Sequence, residues 1–133
     1  MRNLALHLSY LGSAYHGWQI QPGDLSVQEV MTERMCRLFG PDFSLVGAGR
    51  TDAGVHASCM WAHFDLTDAQ VEKYCQKDGA LCASLLKDKL DRMMPADIRV
   101  REVRPVRADA HARFDAVSRT YEYRFALTRN PFL

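Results

Sequence analysis

No apolar run in this 133-residue chain approaches the roughly 20 residues needed to cross a bilayer. The opening Met1-Arg2-Asn3-Leu4 also lacks the longer apolar core of a secretory leader. Both absences lead to an expectation of a cytoplasmic protein with no membrane partner. Cys36, Cys59, Cys75 and Cys82 form no Cys-x-x-Cys pair, and the five histidines never recur at ligand spacing, so no metal site is expected. The four cysteines lie in apolar segments and read as buried thiols of a reducing compartment. Internal repeats, low-complexity tracts and linkers are missing too. At 47% hydrophobic and 25% charged, the chain reads as one globular domain that buries about two-thirds of its unfolded surface.

An excess of charge is also lacking, since the net value is only +1, yet the distribution is uneven. Residues 1 to 91 hold 8 basic and 11 acidic side chains, a net of −3. Residues 92 to 133 hold 9 basic, all arginine, and 5 acidic, a net of +4. Arginine suits phosphate because its planar fork donates two hydrogen bonds at once and is weakly hydrated. Arg113, Arg119 and Arg124 are the phosphate candidates, whereas Arg99, Arg101 and Arg104 fit a solvated, charge-alternating strand equally well.

The pattern of elements comes from periodicity. Leu4, Leu6, Leu8 and Tyr10 alternate with polar or small neighbours, as a strand with one buried face requires. Ser26 to Glu29 reads as a capping box, and Val27, Val30, Met31, Met35 and Leu38 continue at helical spacing to Gly40-Pro41, which gives a helix over about 26 to 39. Phe43 to Val46 and His56 to Leu66 read as strands. Thr67 with Gln70 caps a short helix interrupted at Gly79, and a second helical stripe from Cys82 to Met93 ends before Pro95. Strands follow at about 97 to 106 and 116 to 127. This order approximates a split βαβ, ferredoxin-like α+β domain, an antiparallel sheet with helices on one face and the other face open.

Between the two middle strands, Gly47-Ala48-Gly49-Arg50-Thr51-Asp52-Ala53-Gly54-Val55-His56 carries chemistry rather than packing. Three glycines in eight residues free the backbone, and Arg50 and Asp52 lie two positions apart between them. A turn held by rigid strands is where reactive groups concentrate, so Asp52 is the candidate catalytic carboxylate facing a cleft. Arg50, if close, would favour its ionised form in a dry pocket. The spacing falls short of a dinucleotide fingerprint, because a carboxylate stands where the third glycine belongs and a strand follows instead of a helix. The aromatic stretch from Tyr10 to Trp18 suits a nucleic-acid surface, a hydrophobic lid or tucked-in core aromatics equally well. His56 and His63 read as turn and strand residues, His111 beside Arg113 as a possible RNA contact, and Ser26 and Gln28 as capping.

Gly-Arg-Thr-Asp-Ala-Gly-Val-His resembles the signature of the tRNA pseudouridine synthases of the TruA type. Other stretches agree in the same order: Tyr10 to Gln19, Ser26 to Glu29, Met94-Pro95 before Asp97-Ile98, His111 to Phe114, and Arg119-Thr120-Tyr121-Glu122-Tyr123. The chain departs from the family at Cys59, Met60, Asp91 and Ala110. The resemblance implies that Asp52 is the nucleophile and that Tyr121 packs on the target uracil, where the strand pattern alone reads it as core. It implies tRNA as partner, whose phosphates Arg113 and Arg119 would then meet on the charge argument above, a homodimer, and no cofactor. It further implies that residues 1 to 133 form the amino-terminal domain, half of the active site, with a carboxy-terminal domain absent. A carboxylate could act by attack at the anomeric carbon or by removing a sugar proton after the base departs. A catalytically silent RNA-binding domain and a dimerisation domain are the competing readings.

Overall fold

A computed structural model describes residues 1–122. The chain runs through β1 (Arg2–Tyr10), a short 3-10 turn (Gly12–Ala14), α1 (Val27–Phe39), β2 (Val46–Gly47), β3 (Ala57–Leu66) and α2 (Asp68–Cys75). It continues through β4 (Gln76–Lys77), β5 (Ala80–Leu81), α3 (Ala83–Met93) and β6 (Ile98–Pro105). Four strands form an antiparallel sheet in the order β2-β3-β1-β6, so the domain is α+β as expected.

The alternation in β1 puts Leu4, Leu6, Leu8 and Tyr10 on the inner face, in one apolar cluster with Val27, Met31 and Met35 of α1 and Leu86 and Leu90 of α3. Leu6, Leu8, Leu86 and Leu90 are fully buried, each contributing about 1.5–3 kcal/mol of burial. Ser26 accepts the Glu29 amide to start α1, and Thr67 and Gln70 form a reciprocal capping box at α2. On the outer face His7 stacks on Trp61 at 5.0 Å and the Arg104 guanidinium lies 5.4 Å from the Trp61 ring.

Several expectations need correcting. The strand expected at Phe43 to Val46 is only Val46–Gly47, because Leu45 is turned inward and Gln28 Nε2 takes its carbonyl at 2.7 Å. Gln28 is therefore a bridge and not a cap, since its Oε1 also accepts the Ile20 amide at 2.9 Å. The break at Gly79 is a hairpin, β4-β5, whose turn holds Asp78 at φ 53 and Gly79 at φ 78. Residues 116–122 form no strand, and the rest of that expected strand, with Tyr123 and Arg124, lies outside the described residues. Of the four thiols only Cys75 is fully buried and Cys59 is exposed, because β2 is too short to cover that end of β3.

Candidate active site

The turn from Arg50 to His56 leaves the β2-β3 edge and is held by the loop that follows β1. Main-chain bonds run from Trp18 N to Thr51 O at 3.4 Å and from Gly54 N to Tyr15 O at 3.0 Å. Side chains add Gly12 N to His56 Nδ1 at 2.8 Å and Tyr10 Oη to Thr51 Oγ1 at 2.7 Å. The loop can approach this closely only because residue 17 is glycine, at φ 75, where a Cβ would collide with the Thr51 carbonyl oxygen. Inside the turn, Val55 N donates to Asp52 O at 3.2 Å and Gly54 adopts φ 79, a conformation that favours glycine.

Tyr15 and Trp18 are buried, which decides the question left open by the aromatic stretch: these rings are core, and they brace the turn. The Tyr15 hydroxyl donates to Asp97 Oδ1 at 2.7 Å, and burial first, then that hydrogen bond, pushes the phenol far above its ordinary pKa. The Leu11 amide donates to the Asp97 carbonyl at 2.9 Å, so the residue just before β6 also fixes the bracing loop.

Two adjoining clefts open beside the turn. The first, about 440 Å³, is lined by His16, Gln19, Arg50, Thr51 and Asp52 among others. The second, about 540 Å³, is lined by Gln19, Gln28, Arg50, Arg113, Arg119 and Tyr121 among others. Arg50 and Gln19 border both, so the structure brings all five residues singled out in the sequence to one composite groove. The expected ion pair is another matter. Among the described residues Arg50 makes none, and Asp52 is exposed, so water rather than guanidinium surrounds its carboxylate. Arg50 lines both clefts and Asp52 only the first.

The far wall is assembled from residues 107–122. Asn3 Nδ2 donates to Arg107 O and Ala110 O at 3.0 and 2.7 Å, and the Ala112 amide donates to His63 Nδ1 at 2.9 Å. His111 stacks on Phe114 at 4.1 Å and meets His63 edge-on at 4.4 Å. Burial, and then the neighbouring His111, holds the His63 pKa below its ordinary value. Arg119 crosses Gly49 and gives Ala48 O two hydrogen bonds of 2.9 and 2.7 Å and Arg113 O one of 2.8 Å. Its fork therefore joins the turn to the wall, whereas the Arg113 side chain is exposed and has no protein partner among the described residues.

Arg99, Arg101 and Arg104 are engaged elsewhere. Arg99 makes a two-point pair with Asp91 at 3.0 and 3.1 Å, Arg101 donates to Ser9 Oγ at 3.1 Å, and Arg104 pairs with Glu102 at 2.6 Å. The Arg99 fork is the main cause that holds the Asp91 carboxyl below the usual carboxylate range, with the Val100 amide assisting. Sequence reasoning missed Gln19, the bridging role of Gln28 and the bracing role of Asp97. The only signals for the first two were their places beside the aromatic stretch and the helix cap.

A groove with one presented carboxylate, a tyrosine 54% exposed and arginines on its border suits a large anionic ligand that carries a flat, unstacked ring. The sequence profile of the tRNA pseudouridine synthase family matches residues 7–115, and the chain belongs to that family. It is 46% identical over 132 residues to the tRNA pseudouridine synthase A of Bacteroides thetaiotaomicron, covering 99% of this chain and 45% of that protein. The protein of the same name from Chlamydia felis is 40% identical over 131 residues, with 98% and 45% covered, and that from Geobacter sp. is 40% identical over 127 residues, with 96% and 47% covered. The chain thus spans about half the length of these relatives.

Proposed function

We propose that the chain is the amino-terminal, aspartate-bearing domain of a cytoplasmic tRNA pseudouridine synthase that isomerises uridine in the anticodon stem-loop. The observation that carries the reading is the braced turn, which fixes the main chain around Asp52, an exposed residue lining a cleft. The order β2-β3-β1-β6, with α1 between β1 and β2 and α2 and α3 between β3 and β6, favours the ferredoxin-like, split βαβ form of the α+β class.

In the isomerisation the bond from the ribose anomeric carbon to uracil N1 breaks and a bond to uracil C5 forms. The C5 proton leaves to solvent and N1 ends protonated, so atoms and electrons balance without an added reactant. Asp52 acts as the carboxylate, by attack at the anomeric carbon or by removing a sugar proton. The target base must leave its stack at a cost of a few kcal/mol. Stacking on Tyr121, worth about 1–3 kcal/mol, offsets most of that. Arg50, bordering both clefts, sits where the flipped nucleotide leaves its place in the helix. Arg113 takes a phosphate, and Arg119 serves the same groove by holding its two sides together.

A second domain completes the cleft in this reading, and the working form is a homodimer. The test is tritium release from tRNA labelled at uridine C5, measured with the full-length enzyme and its Asp52→Asn variant. Turnover should fall on the order of 10³-fold or more while tRNA binding persists. A variant as active as the parent would refute the role of Asp52. Binding without turnover in both would favour the silent RNA-binding reading.

A further inference from the structure

The turn is held on both sides of Asp52, but Thr51 is its most constrained residue. Its hydroxyl lies 2.7 Å from Tyr10 Oη, its carbonyl receives the Trp18 amide, and that same carbonyl packs on the bare α-carbon of Gly17. Tyr10 is 4% exposed; its hydroxyl also approaches Met60 Sδ at 3.8 Å, a weak acceptor, and feels the Tyr121 hydroxyl electrostatically. Burial, its largest influence, raises the Tyr10 pKa, so the phenol stays neutral and remains a hydrogen-bonding hydroxyl.

Tyr10 reaches Thr51 because of an irregularity in the sheet. Leu8 pairs with Met60 but Tyr10 with Ala57, so β3 carries one extra residue there. Such bulges re-aim side chains beside active sites. The ring is then steadied by Trp18, stacked at 6.5 Å. Tyr10 lines neither cleft, and its short hydrogen bond to the turn that bears Asp52 is the one to Thr51 Oγ1.

We propose that Tyr10 is a positioning residue for the reaction: its buried hydroxyl, bonded to Thr51 Oγ1, fixes the peptide that delivers the Asp52 carboxylate into the cleft. The proposal rests on the reading of Asp52 as the reacting group. A displacement of about 1 Å at a reacting atom is enough to lower a rate about 100-fold. An unanchored Thr51 would permit such a displacement, because Asp52 is exposed and its side chain makes no hydrogen bond among the described residues.

Tyr10→Phe and Thr51→Val each remove one hydroxyl and keep the shape, while Thr51→Ser restores the hydroxyl on a smaller side chain. In the full-length enzyme, kcat for tritium release should fall about 10- to 100-fold in Tyr10→Phe, in Thr51→Val and in the double variant alike. KM should stay within about twofold, and the two effects should not add because the groups act as one unit. Thr51→Ser should regain most of the rate. Parental kcat in Thr51→Val, or losses that add in the double variant, would overturn the proposal.

A second readout is independent of the chemistry. In residues 1–133, amide exchange at Gly54 and Val55 should quicken in Tyr10→Phe and return toward the parental rate in Thr51→Ser. Unchanged exchange in Tyr10→Phe would also overturn it. If the parental full-length protein released no tritium, the catalytic reading would fail, and the exchange rates would still decide whether Tyr10 anchors the turn.

Discussion

The two sides of the groove are held in different ways. The Asp52 turn is fixed through buried groups and main-chain bonds: Tyr10, Tyr15, Gly17 and Trp18 all lie in the interior and grip residues 51 to 56 from behind. The facing wall, residues 107–122, is held by Asn3, His63 and Arg119, of which Asn3 alone is fully buried. A reacting group needs a geometry accurate to a fraction of an ångström, whereas a surface that grips phosphates gains from side chains able to adjust. The contrast matches a division of labour between chemistry and grip.

The sharpest way to break this contrast is to disturb the braced side at a glycine. Gly17→Ala combines a left-handed φ with collision against the Thr51 carbonyl, and should lower stability by about 2–4 kcal/mol. Gly23→Ala has a similar φ of 82 with nothing within 4 Å, and should cost only about 1–2 kcal/mol. Urea unfolding of both variants measures the difference. Equal losses would mean that the close contact with the turn contributes nothing.

On the facing wall the effects should appear in binding. Tyr121→Ala should weaken a flipped-base complex by about 1–3 kcal/mol and leave thermal stability nearly unchanged, as titration with tRNA would reveal. Arg113→Ala should reduce the slope of log affinity against log salt by about one. Arg119→Ala should instead loosen the wall, seen as faster exchange of nearby amides, because its guanidinium is engaged by two carbonyl oxygens.

The smallest effect is a pH dependence confined to the wall. His63 has a lowered folded pKa, so its contribution to stability is complete above the unfolded value of 6.5 and is lost as pH falls through the lower folded value. The groups that face it act in opposite directions: His111 adds to the lowering, while Asp65 and Asp115 oppose it. Protonation at Nδ1 removes the acceptor for the Ala112 amide, and that amide should exchange faster on acidification. His63→Asn should lessen the response.

Much of this was legible in the chain. The alternation of β1, the Ser26 and Thr67 caps and the helical stripe from Cys82 to Met93 placed most of the fold, because each reports a local period or end signal. The residues singled out in the sequence, Arg50, Asp52, Arg113, Arg119 and Tyr121, lie along two adjoining clefts. What escaped was non-local. Arg119 lies 71 positions from the carbonyl it grips, and Tyr10 lies 41 from Thr51, separations that no periodicity encodes. The missed hairpin is different, since Asp78-Gly79 is a strong turn signal that was read only as a helix break.

The interlocking of Gly12 and Gly17 with Val55 and Thr51 gives the eight-residue signature a dependency that its spelling hides. Grafted alone onto another scaffold, the octapeptide would lack the mould that shapes it and would present its acid at random. Any chimaera or shuffled library must carry the stretch from Tyr10 to Trp18 along with it, and an insertion into either segment disables both at once.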